Sequence, residues 1–165
     1  MLLLLIRHAD AGERDPARWA DDAQRPITDE GRAVQAKVAK RLRKRRATPE
    51  RILSSPWTRA WQSAQVTAEG TRGGAIEPVV CEALARAPNL KRLADAVGQP
   101  AHDAIVALVG HEPWLGQLAS LLLTAEADRL HIDFPKSAVM GIEISEIGSG
   151  AGTLRFFWTP RNKVR

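Results

Sequence analysis

The sequence predicts a three-layer α/β/α sandwich with a mostly parallel central sheet and an antiparallel C-terminal hairpin. Three observations predict it. Short apolar runs alternate with segments whose apolar residues recur at helical spacing. The first run, Leu2 to Ile6, is apolar throughout, as in a strand covered on both faces. The last two candidate strands are joined by a Gly-rich turn that suits a hairpin.

Leu2 to Ile6 is the first strand, and a polar stretch follows it to about Pro26. Thr28 is a helix N-cap, with Asp29 and Glu30 at the positive end of the helix dipole. Val34, Val38 and Leu42 then give that helix one apolar stripe. Arg51 to Ser54 is a short second strand. Ser55-Pro56 supplies an N-cap and a first helical residue for a helix through about Thr67. Gly70 to Gly74 is a loop and Ile76 to Val80 a strand. Leu90, Leu93, Ala94 and Val97 share one face of a short helix ending near Gly98. Ala104 to Val109 is a further strand, leading through Gly110 into a helix with Leu115, Leu118, Ala119 and Leu122 on one side. Ala138 to Ile147 and Thr153 to Trp158 complete the pattern.

At 165 residues the chain has the size of a single domain, expected to span 1–165. A hydrophobic content of 44% with 26% charged residues is globular and excludes a disordered chain. Cys81 is alone, so no internal disulfide forms, and no Cys/His cluster has metal-ligand spacing; neither metal nor cofactor is expected. Leu2 to Ile6 is too short to span a bilayer or to form a signal-peptide core. A cytoplasmic protein without a membrane partner is therefore expected. The formal charge of +5 favours anionic partners. Much of it is local, in Lys37, Lys40, Arg41, Arg43, Lys44, Arg45 and Arg46, a stretch that reads either as a solvated helix face or as a docking patch. Aromatic residues do not interleave with these charges, so no nucleic-acid partner is expected.

In parallel sheets flanked by helices, ligands bind beyond the carboxyl ends of the strands. Arg7 and His8 follow the first strand, Arg59 opens the helix after the second, and His111 follows the run ending at Val109. Taken singly, each has an ordinary structural explanation. Arg25 before Pro26 equally suits a turn held by carboxylates, and His102 and His131 carry no assignment. Taken together, two arginines and two histidines converge on one sheet edge. Guanidinium forks match phosphate oxygens, and a neutral imidazole is a competent nucleophile at physiological pH. That set suits phosphoryl transfer, which is mostly positioning and charge stabilisation.

Arg7-His8-Ala9, Ser54-Ser55-Pro56 with Arg59-Ala60 and Gln62, and Gly110-His111 resemble the histidine phosphatase superfamily. Arg25-Pro26-Ile27-Thr28 and Gly110-His111-Glu112-Pro113 resemble its compact branch, the SixA-type phosphohistidine phosphatases. The resemblance implies that His8 accepts the phosphoryl group while Arg7, Arg59 and His111 bind its oxygens. It places Arg25 on the pocket rim as a substrate-binding residue, with Glu112 beside it in that role. Ala9 departs from the family's usual glycine. The proton donor is open among Asp10, Glu82 and Glu112, and Glu112 reads equally well as a carboxylate favoring a helix N-terminus. The expected activity is a metal-independent phosphatase with a covalent intermediate on His8. Its expected partner is a protein carrying phosphohistidine, with small phosphate esters as the alternative and a non-catalytic phospho-ligand-binding domain as the rival. The connections from Arg7 to Thr28 and from Val80 to Ala104 leave no room for a sizeable lid, so an open pocket is expected.

Overall fold

Leu3, Leu4, Leu5 and Ile6 are each 0% exposed, so the strand they form is covered on both faces. A computed structural model describes residues 1–160; the expected domain span also includes 161–165, which lie outside the described residues. Strand β1 (Leu2–Arg7) is followed by α1 (Asp29–Lys44), β2 (Arg51–Ser54), α2 (Thr58–Arg72) and β3 (Val79–Val80). Then come α3 (Leu90–Val97), β4 (Ile105–Gly110), α4 (Trp114–Thr124), β5 (Val139–Ile144) and β6 (Gly152–Trp158). The strands form one sheet in the order β3-β2-β4-β1-β5-β6. β1 to β4 are parallel, and β5 pairs antiparallel with both β1 and β6.

The period of a strand sends alternate side chains to opposite layers. Leu3 and Leu5 pack with Leu115, Leu118 and Leu122 of α4 and with Leu93 of α3. Leu4 and Ile6 pack with Leu42 of α1 and Ala60, Ala64 and Ala68 of α2. The expected α/β/α sandwich is therefore the observed architecture. Among the described residues no helix is long and apolar enough to cross a membrane.

Several elements differ from expectation for identifiable reasons. Thr28 caps α1 as expected, accepting from the Gly31 amide at 2.9 Å. The buried face of that helix, however, is Gly31, Gln35, Ala39 and Leu42, with Val34 and Val38 on its flank. Small residues decide this, because α1 meets α2 where Gly70 faces Ala39; a Cβ at Gly70 would lie 2.5 Å from the Ala39 Cβ. Gly70 is thus a helix-contact residue inside α2, which runs on to a left-handed cap at Gly73. At its start α2 is capped at Trp57 without a side-chain bond, so Ser55-Pro56 precedes the helix. α4 likewise begins at Trp114, after the cis Glu112–Pro113 peptide, and not directly after Gly110. The expected Ile76–Val80 strand is reduced to Val79–Val80, at the sheet edge just after Pro78, which has no amide hydrogen to donate. Single-turn helices at Asp22–Gln24 and Glu82–Ala85 add to the expected elements.

Replacing a helical glycine by alanine ordinarily favours a helix by about 1 kcal/mol. At Gly70 the sign should reverse. Gly70→Ala is expected to destabilise the protein by roughly 1–3 kcal/mol through overpacking against Ala39, measured by urea denaturation. A more stable variant would show that the α1–α2 contact has slack.

Candidate active site

Backbone register brings three chain segments to one level. β1 and β4 pair so that Arg7 lies opposite Gly110, and the His8 amide donates to the Gly110 carbonyl at 3.0 Å. β2 pairs Ser54 with Val109, and the Ser55 amide donates to the Val109 carbonyl at 2.9 Å. His8, Ser55 and His111 therefore leave the sheet side by side at its carboxyl edge. Arg59 reaches them from the first turn of α2, buried to 5% exposure.

The His8 ring is oriented by its own backbone. Nδ1 lies 2.7 Å from the Ala9 carbonyl oxygen, which can only accept, so the proton resides on Nδ1 and Nε2 keeps its lone pair. Arg59 Nε approaches Nε2 at 3.3 Å. Burial first, then the neighbouring Arg59, Arg7 and Lys136 charges, holds the His8 pKa down from 6.5 to about 3. Ala9 in turn donates its amide to Ser63 Oγ at 2.8 Å, and its methyl group is fully buried at an ordinary backbone conformation.

His111 lies with its ring centroid 5.1 Å from that of His8. Its Nε2 is 2.8 Å from Ser55 Oγ, which also accepts the Trp57 amide at 3.3 Å. The Ser55 hydroxyl can donate to Nε2 or accept from it, and Nδ1 is a buried nitrogen with no protein partner. Burial, followed by His8, Arg59 and Arg7, lowers the His111 pKa to about 2. Trp57 contacts both groups, its ring 4.5 Å from that of His111 and 4.6 Å from the Arg59 guanidinium carbon.

Arg7 donates from Nη1 to the Phe134 carbonyl at 2.7 Å and leaves Nε buried without a partner. Arg59 is held by Asp22, through its carbonyl at 2.7 Å and its carboxylate at 3.1 Å. The same carboxylate binds Arg25 Nε at 2.8 Å, and Arg25 also donates to the Ala11 and Gly12 carbonyls at 3.0 and 2.6 Å. Arg25 thus joins the cluster at one remove, through Asp22. The Ala11–Pro26 connection thus folds back far enough to deliver Asp22 to the cluster. Burial lowers the pKa of Arg7 and Arg59, against which Glu112 and Asp133 support Arg7, and Asp22 supports Arg59.

The three acid candidates do not converge on His8. Asp10 pairs with Lys136, and exposed Glu82 lies 3.9 Å from Arg86. Glu112 turns back on the first turn of its own helix, with Oε2 3.1 Å from where a Cβ on Gly116 would stand. Burial raises its pKa, and Oε1 has no partner. Among the described residues no group of three or more His, Cys, Asp or Glu side chains is arranged to hold a metal ion. Sequence reasoning missed Asp22, Ser63, Trp57 and Lys136, and it took Ser55 for a helix cap; only Ser55 and Trp57, lying between Ser54 and Arg59, had a positional signal.

The family model described as histidine phosphatase superfamily (branch 1) matches residues 3–86. An uncharacterised protein of Picosynechococcus sp. is 33% identical over 144 residues, 86% of this chain and 84% of its own. The structure of the protein histidine phosphatase SixA complexed with tungstate superposes with a TM-score of 0.79 at 23% identity, over 97% of both chains. A phosphoserine phosphatase of Entamoeba histolytica, a mutant in complex with phosphoserine, gives a TM-score of 0.69 at 18% identity, over 94% of this chain and 95% of its own. These two likenesses are of fold.

The depressed imidazoles carry a stability consequence. Between their lowered values and 6.5 the unfolded chain binds more protons than the folded one, so stability rises with pH across that window and is lost on acidification. The melting temperature should fall steadily from about pH 6.5 to about pH 4, and less steeply in His111→Asn. Equal slopes in thermal scans of the two proteins would mean that His111 titrates normally.

Proposed function

The chain belongs to the histidine phosphatase superfamily, and from that premise we propose that it is a phosphatase that carries the phosphoryl group on His8 Nε2. The observation that carries the reading is the His8 geometry. The Ala9 carbonyl pins the proton on Nδ1, burial keeps the ring neutral, Arg59 stands at the free lone pair, and the His111 ring lies beside that of His8.

In the first step the Nε2 lone pair attacks phosphorus and the bond to the leaving atom breaks. Arg59 releases Nε2 and, with Arg7 and His111, takes the phosphoryl oxygens; the unpartnered Arg7 Nε is a donor suited to them, as is His111 Nδ1 in the tautomer whose Nε2 accepts from Ser55. Asp22 has to yield Arg59 to the incoming anion, and Arg25 follows on the rim. In the second step water attacks the phosphohistidine, the N–P bond returns its electrons to Nε2, and inorganic phosphate leaves. The arginines supply the positive charge throughout.

Phosphohistidine in a protein is the substrate this site favours. None of the three acid candidates is bonded to the His8 cluster, and an imidazole leaves phosphorus more readily than an alkoxide. A second reading, small phosphomonoesters, is supported by the raised pKa of Glu112, which suits a proton donor. A purely binding role would leave the arrangement around Nε2 without a purpose.

His8→Ala should abolish turnover with the fold preserved by circular dichroism; near-normal activity would sink the nucleophile assignment. Vanadate should compete with substrate and raise the melting temperature. Arg59→Ala should weaken that inhibition and lower kcat by ~10²–10³; unchanged vanadate affinity would remove Arg59 from the pocket. For substrate class, kcat/KM is compared for a phosphohistidine peptide and an alkyl phosphate on wild type and Glu112→Gln. The peptide should be preferred and the variant should slow the alkyl phosphate more, since general acid catalysis contributes ~10²–10⁴. Preference for the alkyl phosphate by about tenfold would select the second reading.

A further inference from the structure

A groove begins at Asp10 and Lys136, in the segments next to the His8 cluster, and runs toward the far edge of the sheet. Its inner half is lined by Asp10, Gly31, Asp133, Lys136 and Pro160, and its outer half by Lys37, Val38, Arg41, Trp158 and Pro160. Val34, Thr159 and Pro160 line both halves, so the two are one cleft between α1 and the end of β6. Topology brings it there. Two antiparallel pairings, β1 with β5 and β5 with β6, restore the direction of β1, so Trp158 ends its strand on the same edge as His8. At the inner end Lys136 pairs with Asp10, two residues beyond His8, and its charge is felt by the His8 ring.

The outer half joins an aromatic floor to a cationic wall. Trp158 stacks on Phe156 at 4.0 Å and carries the Arg41 guanidinium 4.5 Å above its ring. Lys37 lies one turn before Arg41, and both are exposed. This is the part of the basic 37–46 stretch whose role the sequence left open. Tryptophan and arginine together are the side chains on which binding energy commonly concentrates.

We propose that this groove holds an acidic, extended segment of the phosphorylated protein, flanking the residue presented to His8. Its carboxylates meet Lys37 and Arg41, beside the edge of the Trp158 ring. The inference rests on the phosphatase reading above and adds to it how a protein substrate is chosen. A nucleic acid is disfavoured, because Asp10, Glu30 and Asp133 in the inner half oppose a continuous phosphate backbone.

The test compares two phosphohistidine peptides, one flanked by Glu and Asp, the other by Gln and Asn at the same places. Wild type should favour the acidic peptide by about tenfold in kcat/KM, mainly through KM and less so at high salt. The double variant Lys37→Glu/Arg41→Glu should lose or reverse that ratio. Isothermal titration with the unphosphorylated acidic peptide gives an arm independent of turnover, in which the double variant should bind about tenfold more weakly. No preference in wild type, or a preference kept by the double variant, overturns the groove while turnover of phosphoramidate leaves the phosphatase reading standing. Absence of turnover on phosphoramidate and both peptides overturns that reading and the proposal with it. A single-stranded oligonucleotide that displaces the acidic peptide and binds more tightly would assign the groove to nucleic acid instead.

Discussion

The parallel pairing of β1 with β4 is the constraint on which the site depends. With Arg7 opposite Gly110, both strands end at one level, and the residues that follow them, His8 and His111, emerge as neighbours. A slip of one residue would turn every side chain of β1 to the other face. Leu3 and Leu5 would exchange layers with Leu4 and Ile6, so the core of both layers enforces the register that the site needs. The geometry of the candidate site is thus a by-product of hydrophobic packing at a distance from it.

Electrostatics then shapes what the register assembles. Two imidazoles and two guanidiniums share a buried edge, where like charge is expensive unless it is compensated. The imidazoles stay neutral; His8 meets the Ala9 carbonyl through Nδ1 and accepts from Arg59 at Nε2, and His111 is bonded to Ser55. The guanidiniums keep their charge and take carbonyls of Phe134 and Asp22 together with the Asp22 carboxylate. Asp22 is therefore the counter-ion of Arg59 and Arg25. Trp57 is in contact with both Arg59 and His111.

The C-terminal part of the chain completes the edge. The Arg7 amide donates to the Ala138 carbonyl at 3.1 Å and the Ser137 amide to the Arg7 carbonyl at 3.2 Å, so the segment entering β5 clamps the exit of β1. Phe134 and Lys136 reach the cluster from that same segment. The hairpin that follows carries Trp158 back to the edge at which His8 leaves the sheet.

The sequence by itself determined the layered architecture, the continuous buried strands and the edge at which His8, Arg7, Arg59 and His111 meet. These follow from local periodicity and from the rule that such sheets present ligands at their carboxyl ends. Only the tertiary structure decided that Ser55 serves His111 and not a helix, that Gly70 belongs inside α2, and that Gly31, Gln35 and Ala39 form the inner face of α1. It alone brought Asp22 to Arg59 and Arg25, and Arg41 to Trp158. The reason is physical. Periodicity records how much of a side chain is removed from water, whereas a bond between residues distant in the chain depends on where the intervening segment returns. A polar loop with three aspartates near Arg25 carries no local mark of which one will turn inward; packing around the sheet chooses it.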